Sequence, residues 1–241
     1  LEQRAVTVAA SAITPTAGGI ASPAWVERGP SNVAGRSRSL VIDPRNTQRM
    51  FCGSVAGGLW RSTNGGTTWS QVNDWWSNLA VSCVTLDPSN PDVMYVGTGE
   101  GFYSLAHLVR SFSHFVRGAG ALKSIDGGNT WTQLPATANW LHITRIAVSP
   151  SNPQIVLASR RPGGIARSAD GGQTWTDVAV GELSFQVAFD PNNGMKAVAH
   201  FSSSGPLVHG VIVSTDSGLT WQPALTGLAS LSGEDARIEL C

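Results

Sequence analysis

Two pairs of neighbouring residues have side chains suited to holding a ligand. Arg36 and Arg38 stand at the start of an apolar segment, where guanidinium groups can meet an anionic ligand. Trp75 and Trp76 are adjacent in a polar stretch, where aromatic rings can form a stacking platform for a sugar ring or a partner protein. A structural alternative stays open for each pair. The arginines can pair with neighbouring carboxylates or carbonyls, and the tryptophans can cover the top of a core.

Glu100 is the best single acidic candidate, with Tyr103 close behind it in the long insertion at residues 99–118. Long ordered loops usually have a function or are covered by a partner. A glycoside hydrolase needs two carboxyl groups about 5–9.5 Å apart across a cleft. Asp74 and Glu182 are further acids outside the repeated turns, but the spacing does not pair them with Glu100. A solvated or arginine-paired carboxylate stays open as the alternative role for Glu100.

Several enzyme classes lack their motifs in this sequence. It contains no Ser-His-Asp arrangement, phosphate-binding glycine loop, HExxH or CxxC motif. Residues 160–164 and 200–209 add arginines and histidines without a recognisable constellation, and we expect them in solvated loops. Of the three cysteines, Cys52 and Cys83 are predicted to be buried thiols, with a disulfide between them as the alternative, and Cys241 is left over. We therefore expect no metal and no cofactor.

Composition narrows the range of partners. The 241 residues include 16 Lys plus Arg and 16 Asp plus Glu, so the formal net charge is zero. A balanced chain without a basic run has no electrostatic footprint for nucleic acid or an anionic membrane. No apolar run approaches the roughly 18 residues that span a bilayer. The composition therefore predicts no nucleic-acid partner and no membrane span.

One eight-residue pattern occurs four times and predicts the elements that position these candidates. The pattern is Ser-x-Asx-x-Gly-x-Thr-Trp, at residues 62–69, 124–131, 168–175 and 214–221. The Asx side chain accepts N–H bonds of its own turn, the glycine supplies a positive φ, and the tryptophan enters the core. Each copy is therefore a hairpin turn. The structural residues of these turns are Asn64, Trp69, Asp126, Trp131, Asp170, Trp175, Asp216 and Trp221.

A second repeated element completes the unit. An apolar strand followed by a proline turn recurs at residues 39–46, 83–90, 146–152 and 187–193, and a second apolar strand follows each time. Each repeat of about 45 residues thus contains four antiparallel strands, which is the blade of a β-propeller. The sequence predicts an all-β fold of four blades that start near residues 36, 80, 142 and 183.

Both ends of the chain extend beyond these four blades. Residues 1–22 are predicted to form a flexible tail, and residues 23–241 the propeller segment. Residues 25–28 resemble an outer strand, and residues 236–240 the start of a fifth blade. We therefore expect a partial propeller from a longer parent.

The repeated pattern resembles the Asp-box, or BNR, repeat of sialidases, sortilins, xyloglucan-active glucanases and uncharacterised secreted bacterial proteins. Three copies match fully, and the first has Asn64 in place of the aspartate. The resemblance implies a propeller and a secreted or periplasmic location, but families that share the motif do unrelated things. A sialidase would also need an arginine cluster and a Tyr–Glu pair. Only Tyr95 and Tyr103 exist, and Arg145-Ile146 is followed by alanine instead of the proline of the sialidase signature.

Strand parity assigns the loops to two faces. In an antiparallel blade, the turns after the first and third strands lie on one face, and the other loops lie on the opposite face. The repeated turns share the first face, while every candidate named above lies on the second, where irregular loops usually carry binding. We predict a non-catalytic propeller that binds a protein or glycan through the second face. The alternative is a glycoside hydrolase of the xyloglucanase type, since the resemblance includes such enzymes.

Overall fold

Four separate β-sheets make up the described part of the protein. The structure, a computed structural model, describes residues 36–72, 76, 80–101, 116–181, 183–201 and 210–224. Within these ranges sixteen strands form four antiparallel sheets of four strands, and each sheet follows chain order. This confirms the predicted all-β fold of propeller blades. The flexible tail, the outer strand at residues 25–28 and the fifth blade lie outside the described residues and stay predictions.

The strand bounds follow the predicted repeat. Blade 1 contains β1 (Ser37–Asp43), β2 (Asn46–Ser54), β3 (Gly58–Ser62) and β4 (Ser70–Gln71). Blade 2 contains β5 (Val81–Leu86), β6 (Met94–Thr98), β7 (Ala121–Ser124) and β8 (Thr132–Gln133), followed by a 3₁₀ turn at Pro135–Thr137. Blade 3 contains β9 (Ile143–Val148), β10 (Val156–Arg160), β11 (Gly164–Ser168) and β12 (Thr176–Ala179). Blade 4 contains β13 (Val187–Asp190), β14 (Asn193–Phe201), β15 (Gly210–Ser214) and β16 (Gln222–Pro223).

The four octapeptide turns, residues 62–69, 124–131, 168–175 and 214–221, share one hydrogen-bond pattern. The serine hydroxyl accepts the N–H of the fifth-position glycine at 2.8–2.9 Å. The Asx Oδ1 accepts the N–H of the threonine at 2.9 Å. The tryptophan Nε1 donates to the carbonyl of the same glycine at 2.9–3.1 Å. These glycines have φ between +80° and +95°. In each turn the serine, Asx, glycine, threonine and tryptophan thus form one hydrogen-bonded unit.

The octapeptide turns of blades 2, 3 and 4 also pack on the preceding blade. The fifth-position glycine lies so close to that blade that a Cβ there would overlap it. The contacts are Gly128 on Phe51, Gly172 on Leu134 and Gly218 on Leu157, where an added Cβ would lie 2.8, 2.9 and 2.6 Å from the neighbouring side chain. The tryptophans of the same three turns join the apolar clusters between adjacent blades. The turn is therefore a joint between blades as well as a hairpin.

A basic residue strengthens this joint from the other side. In blades 1 to 3, the residue before the turn serine donates a hydrogen bond to the octapeptide turn of the next blade. The bonds are Arg61 to Asn129 Oδ1 at 2.8 Å, Lys123 to Gly171 O at 2.8 Å and Arg167 to Ser217 O at 2.9 Å. The sequence analysis missed these residues, although a basic side chain before the motif in three copies was a visible signal. Val213 has this position in blade 4.

Hydroxyl groups connect the first strands of adjacent blades. Ser39 Oγ accepts the N–H of Val84 at 2.9 Å, and the Thr85 hydroxyl donates to the carbonyl of Ile146 at 2.7 Å. Cys52 and Cys83 are buried free thiols, as predicted, and burial raises the pKa of Cys83 to about 11. The hydroxyl and thiol side chains have a small volume, so adjacent blades can pack closely against each other.

Two glycine substitutions separate the two requirements of the turn, which are its own positive φ and its close contact with the preceding blade. Ser217 already occupies the fourth position with φ of +61°, so Gly65→Ser should lose only the roughly 1–2 kcal/mol of unfolding free energy that a left-handed backbone costs. Gly128→Ser should lose about 2–4 kcal/mol, because its Cβ also meets the buried ring of Phe51. Urea unfolding of both variants measures the difference. Equal losses would contradict the joint between blades.

Acid unfolding tests the carboxylates of the turns. Hydrogen bonds from the threonine hydroxyl and N–H hold the pKa values of Asp126, Asp170 and Asp216 at about 2, below the ordinary value near 3.8. Their stabilisation is therefore fully present above about pH 4 and is lost as the pH falls through about 2. The triple Asp→Asn variant should be less stable than wild type at pH 7, and its unfolding free energy should fall less between pH 4 and 2.

The first turn provides the matched control for this experiment. Asn64→Asp introduces a carboxylate where the natural turn has an amide, so it should make the acid dependence steeper. Urea titrations at pH 2, 3, 4 and 7 compare the three proteins. An unchanged pH slope in both variants would show that the carboxylates do not contribute.

Candidate functional site

The second face of the segment is the one opposite the octapeptide turns. Its described part comprises residues 55–57, 76, 99–101, 116–120, 134–142, 161–163, 179–181 and 183–186, with the adjoining strand ends. These segments differ from blade to blade in sequence and length. Repetition on the first face and variety on the second make the second face the place for a specific site.

Glu100 joins blades 1 and 2 on this face. Its backbone N–H donates to the carbonyl of Val116 at 2.9 Å, which fixes the residue after strand β6. Glu100 Oε1 accepts a hydrogen bond from Arg36 Nη2 and lies 3.6 Å from Arg38 Nη2. The side chain of Glu100 is 8% exposed, whereas that of Arg36 is 63% exposed. The structure therefore brings three sequence-predicted residues together, and Arg36 faces outward.

Blade 3 packs directly behind this ion pair. Arg161 Nη1 donates to the carbonyl of Gly101 at 3.1 Å, and the backbone N–H of Arg161 donates to the carbonyl of His142. A Cβ on Gly101 would lie 2.7 Å from Thr144 and 3.1 Å from His142. Only glycine permits this approach, so the loop after β6 is fitted against blade 3.

Burial and positive charge keep His142 neutral. Burial is the largest cause that lowers its pKa, to about 4, and the charges of Arg161 and Arg117 lower it further against the opposing effect of Glu100. At neutral pH the imidazole is therefore uncharged. It contributes a polar ring, not a second cation, beside Arg161.

Blade 4 completes the arrangement with aromatic rings. The Arg161 guanidinium lies 5.6 Å from the ring centroid of Phe185, whose ring is 5.3 Å from that of His200. The Ser184 hydroxyl donates to the carbonyl of His200 at 2.7 Å. Contacts on this face thus run from blade to blade across all four blades. We call this set the second-face cluster: Arg36, Arg38, Glu100, His142, Arg161, Phe185 and His200.

Two of these residues correct the sequence analysis. Arg161 and His200 were expected in solvated loops, but both are buried, each 3% exposed. The reason is that the ends of β10 and β14 lie under the loops of neighbouring blades, which a single repeat does not reveal. His142 and Phe185 were missed altogether, because neither belongs to a repeated pattern or a polar run.

Trp76 occupies a packing position. Its ring lies edge-on to Trp131, with centroids 5.7 Å apart and an interplanar angle of 75°. Trp140 and Trp175 repeat this arrangement one blade later, at 5.1 Å and 68°. Trp76 thus covers the core between blades 1 and 2, and its role in binding stays a prediction. The candidates Trp75, Tyr103, Asp74 and Glu182 lie outside the described residues.

The cluster is suited to recognition by charge and shape. Arg36 offers an exposed guanidinium that the buried Glu100 holds in place, and the residues behind it are rigidly packed. Within the described ranges, no group of three or more His, Cys, Asp or Glu side chains is placed to hold a metal ion. The same ranges contain no helix with the length and apolar character to cross a membrane.

The fold defines the class of protein: the chain is a segment of a β-propeller, with four blades described. No protein-family model matches it. A xyloglucanase from Paenibacillus sp is 30% identical over 43% of this chain and 11% of that protein. The chain therefore spans about a tenth of the curated relative.

Solved structures show the same scaffold. The GH74 xyloglucanase from Xanthomonas campestris matches with a TM-score of 0.61 and 20% identity, covering 80% of this chain and 31% of that one. An ancestral GH74 enzyme matches with a TM-score of 0.58 and 24% identity, covering 84% and 25%. YCF48 bound to D1 peptide matches with a TM-score of 0.53 and 16% identity, covering 80% and 56%. At these identities the likeness establishes the propeller fold alone.

The His142 environment gives a measurable prediction. By NMR, its imidazole should titrate near pH 4, and Arg161→Gln should raise that pKa by removing a nearby positive charge. Because the folded pKa lies below the ordinary 6.5, the neutral ring stabilises the fold above about pH 6.5, and this stability is lost as the pH falls toward 4. An unchanged His142 pKa in Arg161→Gln would contradict the proximity of the two groups.

Proposed function

We propose that this protein is a non-catalytic propeller segment that binds a protein or glycan partner through the second-face cluster. The observation that carries the proposal is the run of contacts across four blades on one irregular face, with an exposed Arg36 paired to a buried Glu100. A guanidinium presented in this way recognises carboxylate, phosphate or sulfate groups on a partner. YCF48, which shares the scaffold, was solved bound to a peptide.

A glycoside hydrolase is the second candidate, because the curated relative is a xyloglucanase. Such an enzyme needs a second carboxyl group at about 5–9.5 Å from the first. Glu100 has both arginines on its Oε1, and Asp74 and Glu182 lie outside the described residues. The arrangement of Glu100 supports a structural or binding role more directly than an acid–base role.

The proposal also includes the type of repeat and the location of the protein. The hydrogen bonds of the octapeptide turns support membership of the Asp-box propellers, and we infer from that resemblance a secreted or periplasmic protein. Two free, buried cysteines are compatible with either side of a membrane, so the inference depends on the resemblance alone.

Binding and turnover can be separated with defined probes. Isothermal titration with xyloglucan, polygalacturonate and a glutamate–tyrosine copolymer tests neutral glycan, acidic glycan and polypeptide partners. We expect at least one anionic probe to bind, with affinity at least tenfold lower in Arg36→Ala and lower again in high salt. We expect no new reducing ends from xyloglucan.

An arginine on the first face is the matched control. Arg45 is 47% exposed and pairs with Asp92, so Arg45→Ala removes a similar charge without touching the second face. It should bind as wild type does. If the wild type releases reducing ends from xyloglucan and Glu100→Gln abolishes that release, the glycosidase function replaces the proposed binding function. Failure of all three probes to bind would refute recognition of these partner classes.

A further inference from the structure

The first octapeptide turn, residues 62–69, contains a chemically labile pair of residues. Its Asx is Asn64, and Gly65 follows directly. A backbone nitrogen attacks the side-chain amide of a preceding asparagine most readily when the attacking residue is glycine, because glycine has no Cβ to hinder the approach. Asparagine is a thermolabile residue for this reason. The sequence has one other Asn-Gly pair, Asn193-Gly194, at the start of β14.

The reaction turns the amide into an acid and needs only water. The Gly65 nitrogen bonds to Cγ of Asn64, the Cγ–Nδ2 bond breaks, and Nδ2 leaves as ammonia with the proton of the attacking nitrogen. Water then opens the cyclic imide. Attack of water at Cγ gives aspartate on an unchanged backbone, whereas attack at the backbone carbonyl gives isoaspartate, whose backbone runs through Cγ.

The folded turn holds both reacting groups of this pair. The Gly65 N–H, which must lose its proton to attack, donates to the carbonyl of Gln48 at 3.0 Å. The Asn64 Oδ1 accepts the N–H of Thr68 at 2.9 Å and the hydroxyl of Ser62 at 3.0 Å. The Asn64 Nδ2 donates to the Thr68 hydroxyl at 2.9 Å. The reaction therefore requires the turn to open.

The second Asn-Gly pair is held less firmly and provides an internal comparison. Among the described residues, the Asn193 side chain has one hydrogen-bond partner, the N–H of Met195, which lies 3.0 Å from Oδ1. Asn64 and Asn193 are both exposed, so access of water does not distinguish them. A difference in their reactivity in the folded protein reports the hydrogen bonds of the first turn.

The other three octapeptide turns show what an aspartate does at this position. In each of them the carboxylate Oδ2 accepts the threonine hydroxyl at 2.5–2.6 Å, and Oδ1 accepts the serine hydroxyl at 2.7–2.8 Å. The corresponding distances at Asn64 are 2.9 and 3.0 Å. Hydrogen bonds to an ionised acceptor are shorter and stronger than neutral ones. Aspartate at position 64 therefore suits the turn better than the asparagine does. Isoaspartate adds a methylene group to the backbone and does not fit.

We propose that Asn64 is a deamidation site at which the chain converts its one amide-type octapeptide turn into the aspartate type. The folded turn protects the asparagine, opening of the turn permits the reaction, and the fold favours the aspartate product over isoaspartate. The conversion strengthens the first turn and adds one negative charge to the first face. The proposal does not depend on the second-face cluster binding any ligand.

Peptide mapping by mass spectrometry provides the first test. The intact chain is incubated in ¹⁸O-water at mildly alkaline pH, folded or in guanidinium chloride, and the labelled acid at each asparagine is followed with time. In guanidinium chloride Asn64 and Asn193 should react at similar rates, since both precede glycine. In the folded protein Asn64 should react at least about tenfold more slowly than Asn193.

A matched pair of variants assigns the protection to the turn. Thr68→Val removes the hydroxyl that holds Asn64 Nδ2, and it should raise the folded-state rate at Asn64 at least about threefold without changing the rate at Asn193. Thr130→Val removes the equivalent hydroxyl from the turn of blade 2. It should leave the rate at Asn64 unchanged.

The fate of the two products provides the second test. Wild type aged in guanidinium chloride is refolded and digested briefly with thermolysin, which cleaves open chains. Electron-transfer fragmentation, which distinguishes the two products, should show aspartate enriched at least about threefold over isoaspartate at position 64 in the surviving protein. The Asn64→Asp variant should have an unfolding equilibrium constant at pH 7 at least about fivefold smaller than that of wild type.

Three results would each overturn the proposal. The first is a folded-state rate at Asn64 equal to that at Asn193. The second is an Asn64→Asp variant that is no more stable than wild type. The third is equal survival of aspartate and isoaspartate under thermolysin.

Discussion

Contact between an octapeptide turn and the preceding blade is the constraint on which the other features depend. The turn binds its own serine, Asx and tryptophan through short hydrogen bonds, so it is rigid before it meets a neighbour. Its glycine then lets the backbone approach an aromatic or aliphatic side chain of that neighbour. Each buried side chain of this size contributes about 1.5–3 kcal/mol, so a loose turn would forfeit much of the interface.

Rigid joints on the first face leave the second face free to vary. Because the first face already fixes the angle between blades, loops on the other side need only avoid clashes. The loop after β6 uses this freedom to bring Glu100 to Arg36 and Gly101 to Arg161. Functional geometry thus comes from irregular segments held by a repetitive frame.

Repetition explains how much could be predicted from the sequence. The turns, the blade order and the proline corners each occur several times, so coincidence was excluded without coordinates. The pairing of Glu100 with Arg36 and Arg38 was open as an alternative, since opposite charges at strand ends often meet. His142 and Phe185 were not foreseen, because their neighbours come from other blades. Contacts between repeats depend on blade packing, which no local pattern encodes.

The joint between blades involves only adjacent repeats. Arg61, Lys123 and Arg167 each bind the turn one blade ahead, and none of these bonds reaches further round the axis. Such a connection carries no information about how many units an assembly holds. Gene duplication can therefore lengthen or shorten the array one repeat at a time, and the same eight residues serve propellers of different size.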